Sequence, residues 1–291
     1  MTITSVSRSG VVKDNTVRKE KFVTDDSTAS LAGWFGGSTI GGVAGVSAVG
    51  VLAGMKKYGQ IPSDDTIDVI HKASEKAIKL SGMDSYGVNI KYLKPPAKKA
   101  SLVTILGNTI AQIRNGYNAC FLPKEVKNVS GTVAYKKNTI LMPEKGIAFA
   151  SFHEIGHSIN ANKSLFWKTM QRMRKSGVLI SSVLLLYGAF TKNEKSKDGK
   201  ELSDKKKANN FVRDNIGKLT FASMLPMLSE EAMATIRGQK LANKLLDKKI
   251  ARYVFKGNAL AYSSYLLSAG ALALGSNCAV KIKDNLIKKD A

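Results

Sequence analysis

Cysteine is nearly missing from this chain. The two that occur, Cys120 and Cys278, lie far apart and beside no other cluster of ligand-type residues. That spacing excludes a disulfide framework and a zinc knuckle, and it suits a reducing compartment. Acidic residues are also scarce: 22 Asp and Glu stand against 45 Lys and Arg, a formal charge of +23. The basic residues are spread along the chain and are not interleaved with its few aromatics. A basic stripe, a zinc finger and a stacking platform for single strands are all missing, so no specific nucleic-acid recognition is expected. A charge of this size still favours contact with anionic surfaces. No internal repeat and no secretory signal are evident. Residues 1–30 are polar, lean basic and are expected to be disordered.

Histidine is the scarcest titratable residue after cysteine, with three copies, and two of them fall in SFHEIGHSIN at 151–160. A shuffled chain of this composition would contain H-E-x-x-H only about once in a thousand trials, so the motif carries weight as a hypothesis. Its spacing has a physical reason. Residues four apart lie one turn above each other on one helix face. His153 and His157 can therefore reach a single Zn2+ ion. Glu154 can lean toward the open coordination position, where a carboxylate can act as general base on water.

The flanking sequence supports a site-bearing helix. NTILMP at 138–143 reads as a short buried strand. Pro143 suits a first helical position and Glu144 a first turn. Ile147, Phe149, Phe152, Ile155 and Ile159 spread apolar side chains over much of the helix, which predicts burial. Asn160 and Asn162 are stop signals. The metal helix is expected over about 143–162. A strand edge beside it could hold an extended peptide by backbone hydrogen bonds.

A catalytic zinc site usually has three protein ligands. His71 lies at the border of the apolar face of TIDVIHKASEKAIKLSG, beside Lys72, and reads as a boundary histidine. A carboxylate is the better third ligand, and LSEEAMATIRG at 228–238 offers the adjacent Glu230 and Glu231. Periodicity does not choose between them.

HEIGH followed by a distant E-x-x-A is similar to the HtpX-like and CAAX prenyl protease group of membrane zinc metallopeptidases. The resemblance covers about residues 60–240. It rests on HEIGH, on Glu231-Ala232-Met233-Ala234-Thr235 and, more weakly, on GYNACFLP at 116–123. It implies a gluzincin-like endopeptidase with a zincin-like domain, Glu231 as third metal ligand and peptide or protein substrates. The chain departs from the group at Thr235, where the family has an aspartate that orients a histidine ligand. A threonine accepts a hydrogen bond there but brings no charge. The competing expectation is a catalytically inactive, membrane-associated structural or interaction protein that keeps the same fold.

Long uncharged runs supply the membrane expectation. Residues 31–55 carry no charge, end at Lys56 and Lys57, and place glycines at 37, 41, 45, 50 and 54. They predict a transmembrane helix over 31–57 with close-packing small residues. A second run at 257–280, between Lys256 and Lys281, predicts a transmembrane or hydrophobic helix over 257–281 that packs against the first. The run at 176–190 falls short of the roughly 17 residues a span needs, which predicts a buried helix or shallow insertion. The run at 219–229 contains Pro226 and leads into the Glu231 helix. Residues 191–215 are rich in lysine and are expected to form an exposed, flexible loop.

The expected architecture is therefore α+β and mainly helical. A metallopeptidase domain over 58–250 would hold a small antiparallel sheet from 88–93, 117–122, 132–135 and 138–142, with the third-ligand helix over 222–245. Hydrophobic helices at both ends would seat it on membrane lipid, in a bacterial inner membrane or an organelle membrane. Orientation is open.

Overall fold

The computed structural model describes residues 26–39, 63–93, 119–127, 130–144, 147–196 and 201–287. It is mainly helical with a small mixed sheet. Helix α1 covers 26–39. Helix α2 (Asp64–Leu80) starts at Ser63, whose hydroxyl accepts from Thr66 N, and carries Asp64 and Asp65 in its first turn. Both features favour a helix N-terminus. Its buried face is Ile67, Ile70, Ala73, Ser74, Ala77 and Ile78, whereas Leu80 is exposed.

Strand β1 (Asn89–Leu93) follows, then β2 (Cys120–Leu122), β3 (Val126–Lys127), β4 (Val133–Tyr135) and β5 (Thr139–Pro143). The sheet order is β1-β5-β2, with β1 parallel and β2 antiparallel to β5. The expectation of one antiparallel sheet is corrected on two counts. The β1–β5 pair is parallel, in register from Asn89 with Thr139 to Leu93 with Pro143. Strand β4 pairs only with β3, as a separate two-stranded ribbon. Thr139–Met142 are all buried, as fits the central strand of the three.

The metal helix also begins later than its sequence suggests. Pro143 ends β5 and does not open a helix, and the Glu144 amide continues the pairing by donating to Leu93 O. A proline at the end of a strand forfeits little of the ladder, so it fits there as well as at a helix start. Helix α3 runs Ala150–Lys163, and its burial over Ala150–Ser158 agrees with the expectation. Lys145 and Gly146 lie outside the described residues.

Among the described residues four more helices follow: α4 (Leu165–Phe190), α5 (Asp204–Asp214), α6 (Ile216–Leu245) and α7 (Lys248–Leu286). The run at 176–190 is thus the second half of a 26-residue helix. By length and composition, α4 and α7 are both apolar enough to cross a membrane, which corrects the expectation that 176–190 is too short. The basic residues at 168–175 of α4 conceal this in the sequence, because they extend the helix without adding hydropathy.

Residues 191–215 are not a plain loop either. Most of their second half is α5, docked through Arg213, which is only 1% exposed. Arg213 donates to Gly188 O at 2.9 Å and to Thr191 O, and pairs with Asp284 Oδ1 at 2.5 Å. Tyr187 donates to Asn209 Oδ1 at 2.6 Å. Charge density conceals these contacts, because a buried arginine that satisfies carbonyls reads in sequence as one more surface cation.

Helix α1 packs on α7 as expected, through Gly37 of the expected set and through Gly33. A Cβ on Gly33 or Gly37 would stand 2.6 Å from the carbonyl oxygen of Ala279 or Gly275, whereas Gly270 has nothing nearby. The rest of the 31–57 expectation, from residue 40 on, lies outside the described residues. One core joins α2, β5 and α3 to the C-terminal part of α6 and the N-terminal part of α7. A smaller apolar cluster, Met224, Met227, Leu228 and Ala269, joins the earlier part of α6 to the middle of α7.

Candidate metal centre

The site forms where α3 crosses α6 at backbone contact. A Cβ on Gly156 would overlap Ala234 O, and one on Gly238 would overlap Phe152 O. Only glycine permits that approach. The glycine inside HEIGH therefore has a structural role. It brings the histidines of α3 within reach of the short acidic side chains of α6.

At this crossing His153 Nε2 and His157 Nε2 are 2.9 Å apart. Glu231 Oε2 stands 3.0 Å from His153 Nε2 and 3.5 Å from His157 Nε2. Three donor atoms from two helices thus face one point. Glu230, one residue earlier, points differently. Its Oε1 accepts from His157 Nδ1 at 2.8 Å and from Asn160 Nδ2 at 2.9 Å. His153 Nδ1 meets Thr235 Oγ1 at 3.0 Å. Each ring thus has a partner on Nδ1, which leaves its Nε2 to face the common point.

All five central side chains are buried: His153, Glu154, His157, Glu230 and Glu231, the two α6 glutamates completely. His153, Glu154 and His157 form one group that could hold a metal ion, and His157, Glu230 and Glu231 form a second. Glu154 is only 6% exposed.

The electrostatics follow from this packing. Burial alone would lower the His157 pKa, but Glu231 and Glu230 outweigh it and raise it to about 10. Burial would raise both carboxyls, yet His157, the hydrogen bonds of the cluster and Arg174 hold Glu230 below its ordinary range and Glu231 well below it.

His71 stays out of the centre. It is half-buried, its ring 4.2 Å from that of Tyr92, and desolvation lowers its pKa. Sequence reasoning misses three contributors. Arg174 of α4 donates to Glu231 Oε1 and, at 3.4 Å, to Glu230 Oε2. Tyr265 of α7 lies within electrostatic reach of Arg174 and Glu231. Asn160 binds both the side chain and the backbone of Glu230 and does not stop the helix. A face argument could have found Asn160, one turn beyond His157, but no sequence spacing signals Arg174 or Tyr265. Compared with known proteins, the chain matches no family model, no curated protein and no solved structure.

Proposed function

We propose that the protein is a membrane-associated, zinc-dependent endopeptidase in which His153, His157 and Glu231 hold the metal and Glu154 is the general base. The observation that carries this reading is the triangle of His153 Nε2, His157 Nε2 and Glu231 Oε2, with sides of 2.9, 3.0 and 3.5 Å. Ligands bonded to zinc at about 2.0–2.1 Å in a tetrahedron stand roughly 3.3 Å apart, so this donor set fits a zinc ion with a fourth position left open. The two-nitrogen, one-carboxylate chemistry and the partner on each Nδ1 support the same assignment. The resemblance to the HtpX-like and CAAX prenyl protease group agrees with it.

Zinc bound there supplies positive charge that polarises a peptide carbonyl and acidifies water. Glu154, next to His153 on α3, accepts the proton of the attacking water and delivers it to the leaving amine. Thr235 and Glu230 hold the two imidazoles in the orientation the donors need. Asn160 in turn fixes Glu230. Burial keeps bulk water from competing for these bonds.

The membrane part rests on α4 and α7. Only 22% of the apolar stretch of α4 and 33% of that of α7 is buried, whereas the core helix of a soluble protein would be mostly covered. The inward residues of α4 include Gly177, Ser181 and Gly188, and Leu179, Ile180 and Val183 point outward. Small residues inside and large apolar residues outside suit helices packed in lipid.

The test is zinc content measured together with casein hydrolysis on detergent-purified protein. The expected result is one zinc per chain, activity lost on chelation and restored by zinc. A protein that carries zinc but never cleaves would support the inactive alternative.

A further inference from the structure

Three carboxylates, Glu154, Glu230 and Glu231, are buried around the centre. A divalent cation neutralises two of them. Resting on the metal reading above, the third must find its counter-charge in the protein, because an unpaired buried carboxylate is strongly destabilising. Arg174 is the cation that contacts the cluster. One of its nitrogens bonds Glu231 Oε1 and the other lies 3.4 Å from Glu230 Oε2. Tyr265 lies within electrostatic reach of both Arg174 and Glu231. Neither residue comes from the α3–α6 crossing. Arg174 belongs to α4 and Tyr265 to α7, the two helices long and apolar enough to cross a membrane.

We infer that Arg174 is a positioning residue that holds Glu231 to metal binding through Oε2 alone, and that the candidate membrane helices thereby complete the centre. Its planar fork spans two neighbouring carboxylates at once, which a lysine cannot do. With Oε1 held by the guanidinium, Glu231 presents one oxygen to the metal and leaves a coordination position free beside Glu154. Without Arg174 the carboxylate can turn both oxygens inward and close that position.

The experiment uses the full chain in detergent, loaded with Co2+ as a spectroscopic probe. Wild type, Arg174→Met and Arg174→Lys are compared by Co2+ titration, visible absorption and helix content from circular dichroism. The Met variant should lose affinity about 10- to 100-fold, the usual effect of removing a group that orients a ligand. Its visible band should weaken as coordination number rises. The Lys variant keeps the charge and should recover most of the affinity but not the band. An Arg174→Lys variant with both wild-type affinity and wild-type spectrum overturns the inference, even if the Met variant fails to fold. A folded Met variant that binds like wild type overturns it too. Wild type that binds no Co2+ would instead remove the metal reading itself, and this inference with it.

Discussion

Glu230 and Glu231 are adjacent and chemically identical, yet the fold gives them different surroundings. Glu231 faces both Nε2 atoms, and Glu230 faces His157 Nδ1 and Asn160. Glu231→Ala should therefore abolish stoichiometric zinc binding, and Glu230→Ala should weaken it about 10- to 100-fold. Isothermal titration of the two variants checks this, and equal losses would contradict it. The protonation of His157 gives a second expectation. Burial opposes it, but Glu231 and Glu230 raise its pKa from 6.5 to about 10. The stability it contributes is full below pH 6.5 and is lost as pH rises through about 10. The depressed Glu230 and Glu231 contribute fully above about 4.5 and lose their contribution as pH falls through their lowered values. Zinc must displace the His157 proton, so its affinity rises with pH over the same range. The gap in Tm between zinc-loaded and chelated protein should widen from about pH 6.5 to about pH 9. A constant gap would argue against zinc on His157.

At the scale of elements, the crossing of α3 and α6 decides whether a site exists. Gly156→Ala would drive a methyl group into the Ala234 carbonyl, backbone against backbone, and neither helix can yield locally. Overpacking of this kind costs about 1–3 kcal/mol, and separating the helices would also pull Glu231 from the histidines. The variant should lower Tm by several degrees and lose zinc, whereas Ala232→Gly, beside Glu231 on the same turn of α6, should keep zinc. What is legible in the sequence follows the same division. HEIGH is readable because both histidines sit on one helix, where spacing alone puts them on one face. The burial of α3 is readable from Phe149, Phe152 and Ile155. The parallel β1–β5 pairing is not, because the register of two strands far apart in the chain leaves no local pattern. Pro143 misleads because a proline suits a strand end as well as a helix start. Arg174 cannot be found from spacing, since its link to Glu231 depends on how α4 packs against α6.

For the whole molecule, the candidate metal centre lies at the crossing of α3 and α6, with Arg174 of α4 against it. Helix α7 has 39 residues, about 58 Å of length, more than the roughly 30 Å hydrocarbon layer requires. One part of it can serve the core while another lies in lipid. Leu267 and Leu274 on α7 and Phe35 on α1 are likewise exposed large apolar residues. The full chain should therefore sediment with membranes and resist both high salt and alkali. Electrostatic adhesion through a charge of +23 would instead be screened by salt. Release by salt alone would contradict insertion. The catalytic claim is tested most directly by Glu154→Gln, compared with wild type at equal zinc occupancy in a peptide-hydrolysis assay. Glu154 is assigned to proton transfer, and Glu231 to metal binding. The variant should hold one zinc per chain and cleave at least about 100-fold more slowly, in the range expected for loss of a general base. A zinc-loaded Glu154→Gln protein that cleaves at the wild-type rate would contradict it.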